Sequence, residues 1–144
     1  MDYANKTIMK MKDQVTSIEQ SRRLLELGVP AEKASMIYQS HYTQGVPKLY
    51  AQPYQRNGYP PKEKIREDVI PAFTVADLLE MMPGFIGENK SLFIERRSVG
   101  CSGSKWCIGY RDRVTLWIDS KSSLLDVCTL GIEWLLSNGY KLEL

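Results

Sequence analysis

Histidine is nearly missing from this sequence: among 144 residues there is one, His41, and there are only three cysteines. A zinc cage built from Cys and His would need all four of them, and no CxxC pair supplies the usual ligand spacing. The sequence therefore predicts no metal and no cofactor. An odd cysteine count also suits a reduced chain better than a disulfide framework, which points to the cytoplasm. Cys101 and Cys107 flank Ser-Gly-Ser-Lys-Trp, where a bridge is conceivable only in an oxidising compartment. Cys128 lies inside an apolar helical pattern and reads as a small core residue.

Long apolar runs are missing too. None approaches the roughly 18–20 residues that cross a bilayer, and residues 1–14 hold no apolar block of signal-peptide length. No membrane association is expected. Nor is there an excess of either charge, since 19 Lys and Arg face 17 Asp and Glu for a net +2. That balance excludes a disordered polyelectrolyte and a uniformly basic nucleic-acid binder. There is no GxSxG elbow, no HExxH and no internal repeat. Gly100-Cys101-Ser102-Gly103-Ser104 lacks the Lys-Ser ending of a phosphate loop and reads as a hairpin turn.

What is present reads as one α+β domain spanning 1–144. Residues 16–27 predict a helix, with Thr16-x-x-Glu19 and Ser17-x-x-Gln20 both in capping-box form. Ile8, Met11, Val15, Ile18 and Leu25 carry an apolar stripe backward, so residues 1–14 extend that helix or form a flexible lead. Gly28 suits its C-terminus. Pro30 suits the first turn of a second short helix, with Ala34, Ile37 and Tyr38 on one face, giving a helical hairpin. Residues 40–71 then hold five of the seven prolines and read as a long Tyr- and Pro-rich loop. Its tyrosines predict partial docking on the core, with an extended piece near 48–52 and a mobile tip near 55–62.

Thr74-x-x-Asp77 predicts the cap of a short helix stopped by Pro83-Gly84. Three alternating runs follow at 92–97, 105–110 and 114–119, joined by short connections, which predict an antiparallel three-stranded meander. Residues 124–137 are apolar over most of a helical circumference, a pattern for a buried helix between the sheet and the other helices. Ser122 or Ser123 caps it and Asn138-Gly139 ends it. Residues 140–144 are expected to form a short closing strand.

Charge counted by segment shows what the total conceals. Residues 38–68 carry five basic and three acidic residues, and 91–117 carry five and two, whereas 69–90 and 118–144 are each acidic by two. The positive excess therefore lies on the Tyr-rich loop and the meander. Tyr50, Tyr54, Arg56, Tyr59, Arg96, Arg97, Lys105, Arg111 and Arg113 form the candidate partner-binding surface, suited to a protein partner or a second copy of the chain. Tyrosines beside lysines and arginines could instead stack the bases of a single strand, so a nucleic-acid accessory role is the alternative. A small enzyme using His41 with Cys101 or Ser102 is a weaker one. Each has an ordinary structural counterpart: tyrosines anchor loops, and arginines decorate the outer face of any sheet.

Leu24-Leu25-x-Leu27-Gly28-Val29-Pro30, then Ile70-Pro71-Ala72-Phe73-Thr74 with Leu78-Leu79-Glu80-Met81-Met82-Pro83, then Trp134-Leu135-Leu136-x-x-Gly139-Tyr140, run through most of the chain. This arrangement resembles a group of small uncharacterised bacterial proteins associated with prophages and other mobile elements of gut bacteria. The resemblance implies an intracellular accessory protein, and the leading expectation is a non-enzymatic cytoplasmic binding or assembly protein of that type. Its motifs are caps and core positions, so it transfers no catalytic or binding residue.

Overall fold

The computed structural model describes residues 13–39, 47–51, 69–98, 100, 103–111, 115–121 and 123–144, with backbone alone at 115–120. The chain divides into two compact units, Met1–Asp77 and Leu78–Leu144. Its α+β class is as the sequence predicts. Among the described residues no helix is long and apolar enough to cross a membrane.

The first unit opens with α1 (Ile18–Glu26). Of the two capping boxes, the Ser17 one forms: Ser17 Oγ accepts from Gln20 N–H at 3.1 Å, and Gln20 Oε1 accepts from Ser17 N–H at 2.9 Å. Thr16 is unavailable because it is fully buried and its Oγ1 already accepts from Phe73 N–H at 2.9 Å. The helix does not run back through Val15, which makes an antiparallel bridge to Thr74 instead. Ile8 and Met11 lie outside the described residues. At the other end Gly28 has φ of +96°, Gly28 N–H donates to Leu25 O, and Val29 N–H donates to Leu24 O, both at 3.0 Å. That is a Schellman motif, and the buried Leu24 and Val29 supply its apolar closure.

The expected second helix of the hairpin is not formed. After a single 3-10 turn (Ala31–Lys33), the chain enters β1 (Met36–Gln39). This strand is central in the antiparallel order β2-β1-β3, between β2 (Lys48–Tyr50) and β3 (Val69–Ala72). Ile37 packs with Ala31 and Val69, while Tyr38 packs with Val15, Ile70 and Ala72. Both faces of the strand are covered, so its apolar residues are consecutive, and that spacing imitates a helical face. β2 falls within the extended piece expected near 48–52; the tip near 55–62 lies outside the described residues. Pro71 sits on β3, an edge strand, where a missing N–H is tolerated.

A second helix, α2 (Val75–Met81), follows, and the division between the units falls within it. The predicted cap forms: Thr74 Oγ1 accepts from Asp77 N–H at 3.1 Å and Asp77 Oδ2 accepts from Thr74 N–H at 2.9 Å. The same carboxylate also takes Ser35 N–H at 2.8 Å and Ser35 Oγ–H at 2.5 Å. Asp77 thus ties the entrance of β1 to the start of α2.

The second unit is a four-stranded antiparallel sheet with a helix on one face. Its strands are β4 (Phe85–Ile86), β5 (Lys90–Ser98), β6 (Ser104–Arg111) and β7 (Thr115–Lys121), in that order across the sheet. The meander is as expected, with the two-residue β4 added at its edge. The last helix, α3 (Leu124–Ser137), packs against β6 and β7 and is capped by Ser123, whose Oγ accepts from Asp126 N–H at 3.4 Å. Thr129 is buried within this helix, its hydroxyl satisfied by donating to Leu125 O at 2.9 Å. A second Schellman motif ends α3, with Gly139 N–H to Leu136 O and Tyr140 N–H to Leu135 O. The expected closing strand is not there: residues 140–144 are irregular. The Tyr140 ring stacks on Trp134 with centroids 5.5 Å apart, and Glu143 N–H donates to Met81 O, contacts that follow the helix end rather than a ladder.

Candidate functional site

The basic residues of the meander are distributed by the period of two that governs every strand. β5 and β6 pair in continuous register from Ser91↔Arg111 to Ser98↔Ser104. Leu92, Ile94 and Arg96 share a face with Tyr110, Ile108 and Trp106. That is the face toward α3, since Tyr110 stacks on Trp134 and Ile108 lies beneath Gly131. Ser91, Phe93, Glu95 and Arg97 share the other face with Arg111, Gly109, Cys107 and Lys105. Arg96 and Arg97 are neighbours in sequence and therefore point to opposite sides.

The outer face gathers Arg97, Lys105 and Arg111 around Glu95. Arg97 Nε donates to Glu95 Oε1 at 2.7 Å, and an Arg111 Nη lies 3.6 Å from the same oxygen. Arg111 reaches it by lying along the strands over Phe93, its guanidinium 4.2 Å from the ring centroid. The ring is buried, with the cation over one of its faces. Lys105 stands directly opposite Arg97 in the ladder. The result is a shallow surface with three cations, one carboxylate and a roofed aromatic, net positive by two. On the other face Arg96 lies over Trp106, 5.8 Å from its centroid. Glu95 was not singled out in the sequence; an acidic residue flanked by arginines at i+1 and i+2 on an alternating run was the available signal.

The remaining candidates fall elsewhere. Tyr50 belongs to the first unit, half-buried on β2 against the Ala31, Ile37 and Val69 cluster, where it serves as a core anchor. Tyr54, Arg56, Tyr59 and Arg113 lie outside the described residues, as do His41, Cys101 and Ser102. Cys107 is a buried free thiol, so the conceivable bridge to Cys101 is not formed. Cys128 is also buried and free, and burial pushes its thiol up to about 12. Such a thiol is protonated and a poor nucleophile near neutrality. Among the described residues no three Cys, His, Asp or Glu side chains stand close enough to share a metal ion. An open groove of about 670 Å³ runs beside α1, lined by Ile18, Glu19, Arg22, Arg23 and Glu26. Its charges balance, two arginines between two glutamates, and Arg23 is 3.7 Å from Glu26 across one turn.

In comparisons with known proteins, the chain matches no family model, no curated protein and no solved structure.

Proposed function

We propose that this chain is a non-enzymatic binding and assembly protein of the cytoplasm, of the mobile-element type that its sequence resembles. It holds an acidic protein partner on the outer face of the β5–β6 pair. The observation behind this reading is the convergence of Arg97, Lys105 and Arg111 around Glu95 on one continuously paired strand pair. A carboxylate that pins two guanidiniums fixes their direction before any partner arrives, which lowers the ordering cost of binding. A nucleic-acid role draws less support from the same face. Of its two aromatics, Phe93 is already covered by Arg111, so the exposed Phe85 on β4, opposite Ser91, is a single platform and not a row on which successive bases could stack.

The test compares a glutamate-rich dodecapeptide with a single-stranded DNA dodecamer in fluorescence anisotropy, at several salt concentrations. The peptide is expected to bind more tightly. Arg97→Glu with Lys105→Glu should weaken it at least tenfold while leaving the thermal midpoint of this exposed site nearly unchanged. Preference for the oligonucleotide, with affinity falling steeply as salt rises, would overturn the protein-partner reading.

A further inference from the structure

The outer side of β5 is longer than the strand that covers it. β4 has two residues and pairs only with Ser91 and Lys90 of the nine in β5. Leu92 N–H still finds Gly84 O at 2.8 Å, but Pro83 comes next and the chain turns away into α2. The Leu92 bond also fixes which groups point outward. In an antiparallel ladder alternate residues direct both N–H and C=O to the same neighbour. With Leu92 facing outward, the backbone groups of Ile94, Arg96 and Ser98 face outward as well. Among the described residues no strand stands against them. Arg96, Arg97 and Ser98 are all exposed, as an uncovered edge requires.

We propose that this stretch of β5 accepts an extended acidic segment of a partner protein as an added antiparallel strand. The inference rests on the protein-binding role above and specifies its mode. Main-chain bonds to residues 94, 96 and 98 supply register, and the cations supply selection. An added strand lays alternate side chains on each face of the sheet. On the outer face its carboxylates meet Arg97 and Lys105; on the other they meet Arg96. A second copy of this chain fits less well. The antiparallel pairing that best overlaps the open stretch sets Arg96 against its own counterpart, and like charges directly opposite destabilise a pair. The Glu95 carboxylate, which could offset this, is already engaged by Arg97 and Arg111.

The experiment uses the full chain and a capped heptapeptide with carboxylates on both faces, acetyl-Thr-Glu-Val-Glu-Glu-Glu-Val-amide, with an analogue N-methylated at alternate residues. Amide hydrogen exchange is followed by NMR, and mass in solution by light scattering. The peptide should bind and slow exchange at Ile94, Arg96 and Ser98 at least tenfold, and N-methylation should weaken it at least tenfold. Binding that leaves those three amides unchanged and tolerates N-methylation would overturn strand addition while leaving the cationic-face reading intact. Protection of the same amides in peptide-free protein, together with a dimeric mass, would overturn it in favour of self-pairing. Failure of both this peptide and the glutamate-rich dodecapeptide to bind would overturn both readings together.

Discussion

Thr16 shows how much one buried hydroxyl can organise. Its Oγ1 accepts from Phe73 N–H and lies 2.7 Å from Ser21 Oγ, its own N–H donates to Phe73 O, and its carbonyl accepts from the Tyr38 Oη–H at 2.9 Å. A strand-like approach, a helix start and a central strand thus meet at one residue. Thr16→Val keeps the shape and removes the hydroxyl, which leaves Phe73 N–H buried without its acceptor. The expected loss is about 1–3 kcal/mol in urea unfolding. Ser21→Ala should cost less, because it removes a partner of Thr16 without orphaning a backbone group. In the sequence Thr16 was visible only as one of two equivalent caps. The choice between them depends on a residue 57 positions away, beyond the reach of local reading.

At the scale of elements, α3 lies close on the sheet because Gly131 has no side chain to hold it off. A Cβ there would stand 2.8 Å from Met82 Cε and 3.4 Å from Ile108 Cδ1. Met82 Cε is the tip of a flexible chain and can shift, and alanine is favoured over glycine inside a helix by about 1 kcal/mol. Gly131→Ala should therefore change stability by less than about 1 kcal/mol, whereas Gly131→Leu should lower it by about 1–3 kcal/mol or more through overpacking. Thermal unfolding of both variants checks the contrast. Capped helices and the meander were legible because their signals are local: Ser17 with Gln20, Thr74 with Asp77, alternation in β5 and β6. β1 was not, because Met36 to Gln39 become a strand through pairing with β2 and β3, partners that lie on and beyond a proline-rich stretch. The candidate site was half legible. Segment charge located the meander, but only the register separates Arg96 from Arg97 and brings Arg111 to Glu95.

For the molecule as a whole, burial of ionisable groups sets how stability responds to alkali. Cys128 is pushed up from 9.0 to about 12 by burial, and Tyr38 and Tyr110 lie above their ordinary 10.0 for the same reason, with Glu143 adding to Tyr110. The unfolded chain gives up these protons at the ordinary values while the folded chain keeps them. Stability contributed by the protonated forms is therefore complete below about pH 9 and declines above it, by about 1.4 kcal/mol per pH unit for each group in its window. Urea midpoints measured between pH 7 and 10.5 should be level at first and then fall. Cys128→Ala should remove its contribution to the fall between pH 9 and 10 and leave the steeper tyrosine part above 10. A midpoint that rises through this range would contradict the buried placement of all three groups.

The run of β5 that no strand among the described residues covers also bears on solubility at high concentration. A bare ladder invites copies of the same chain to add one after another, and a parallel, in-register stack would be the open-ended form of that growth. In such a stack every residue meets its own image, so Arg96 would face Arg96 and Arg97 would face Arg97 at each layer. Two successive cations, one on each side of the sheet, make that arrangement costly on both surfaces at once. The same pair that recruits an acidic strand thus guards the edge against fibre growth.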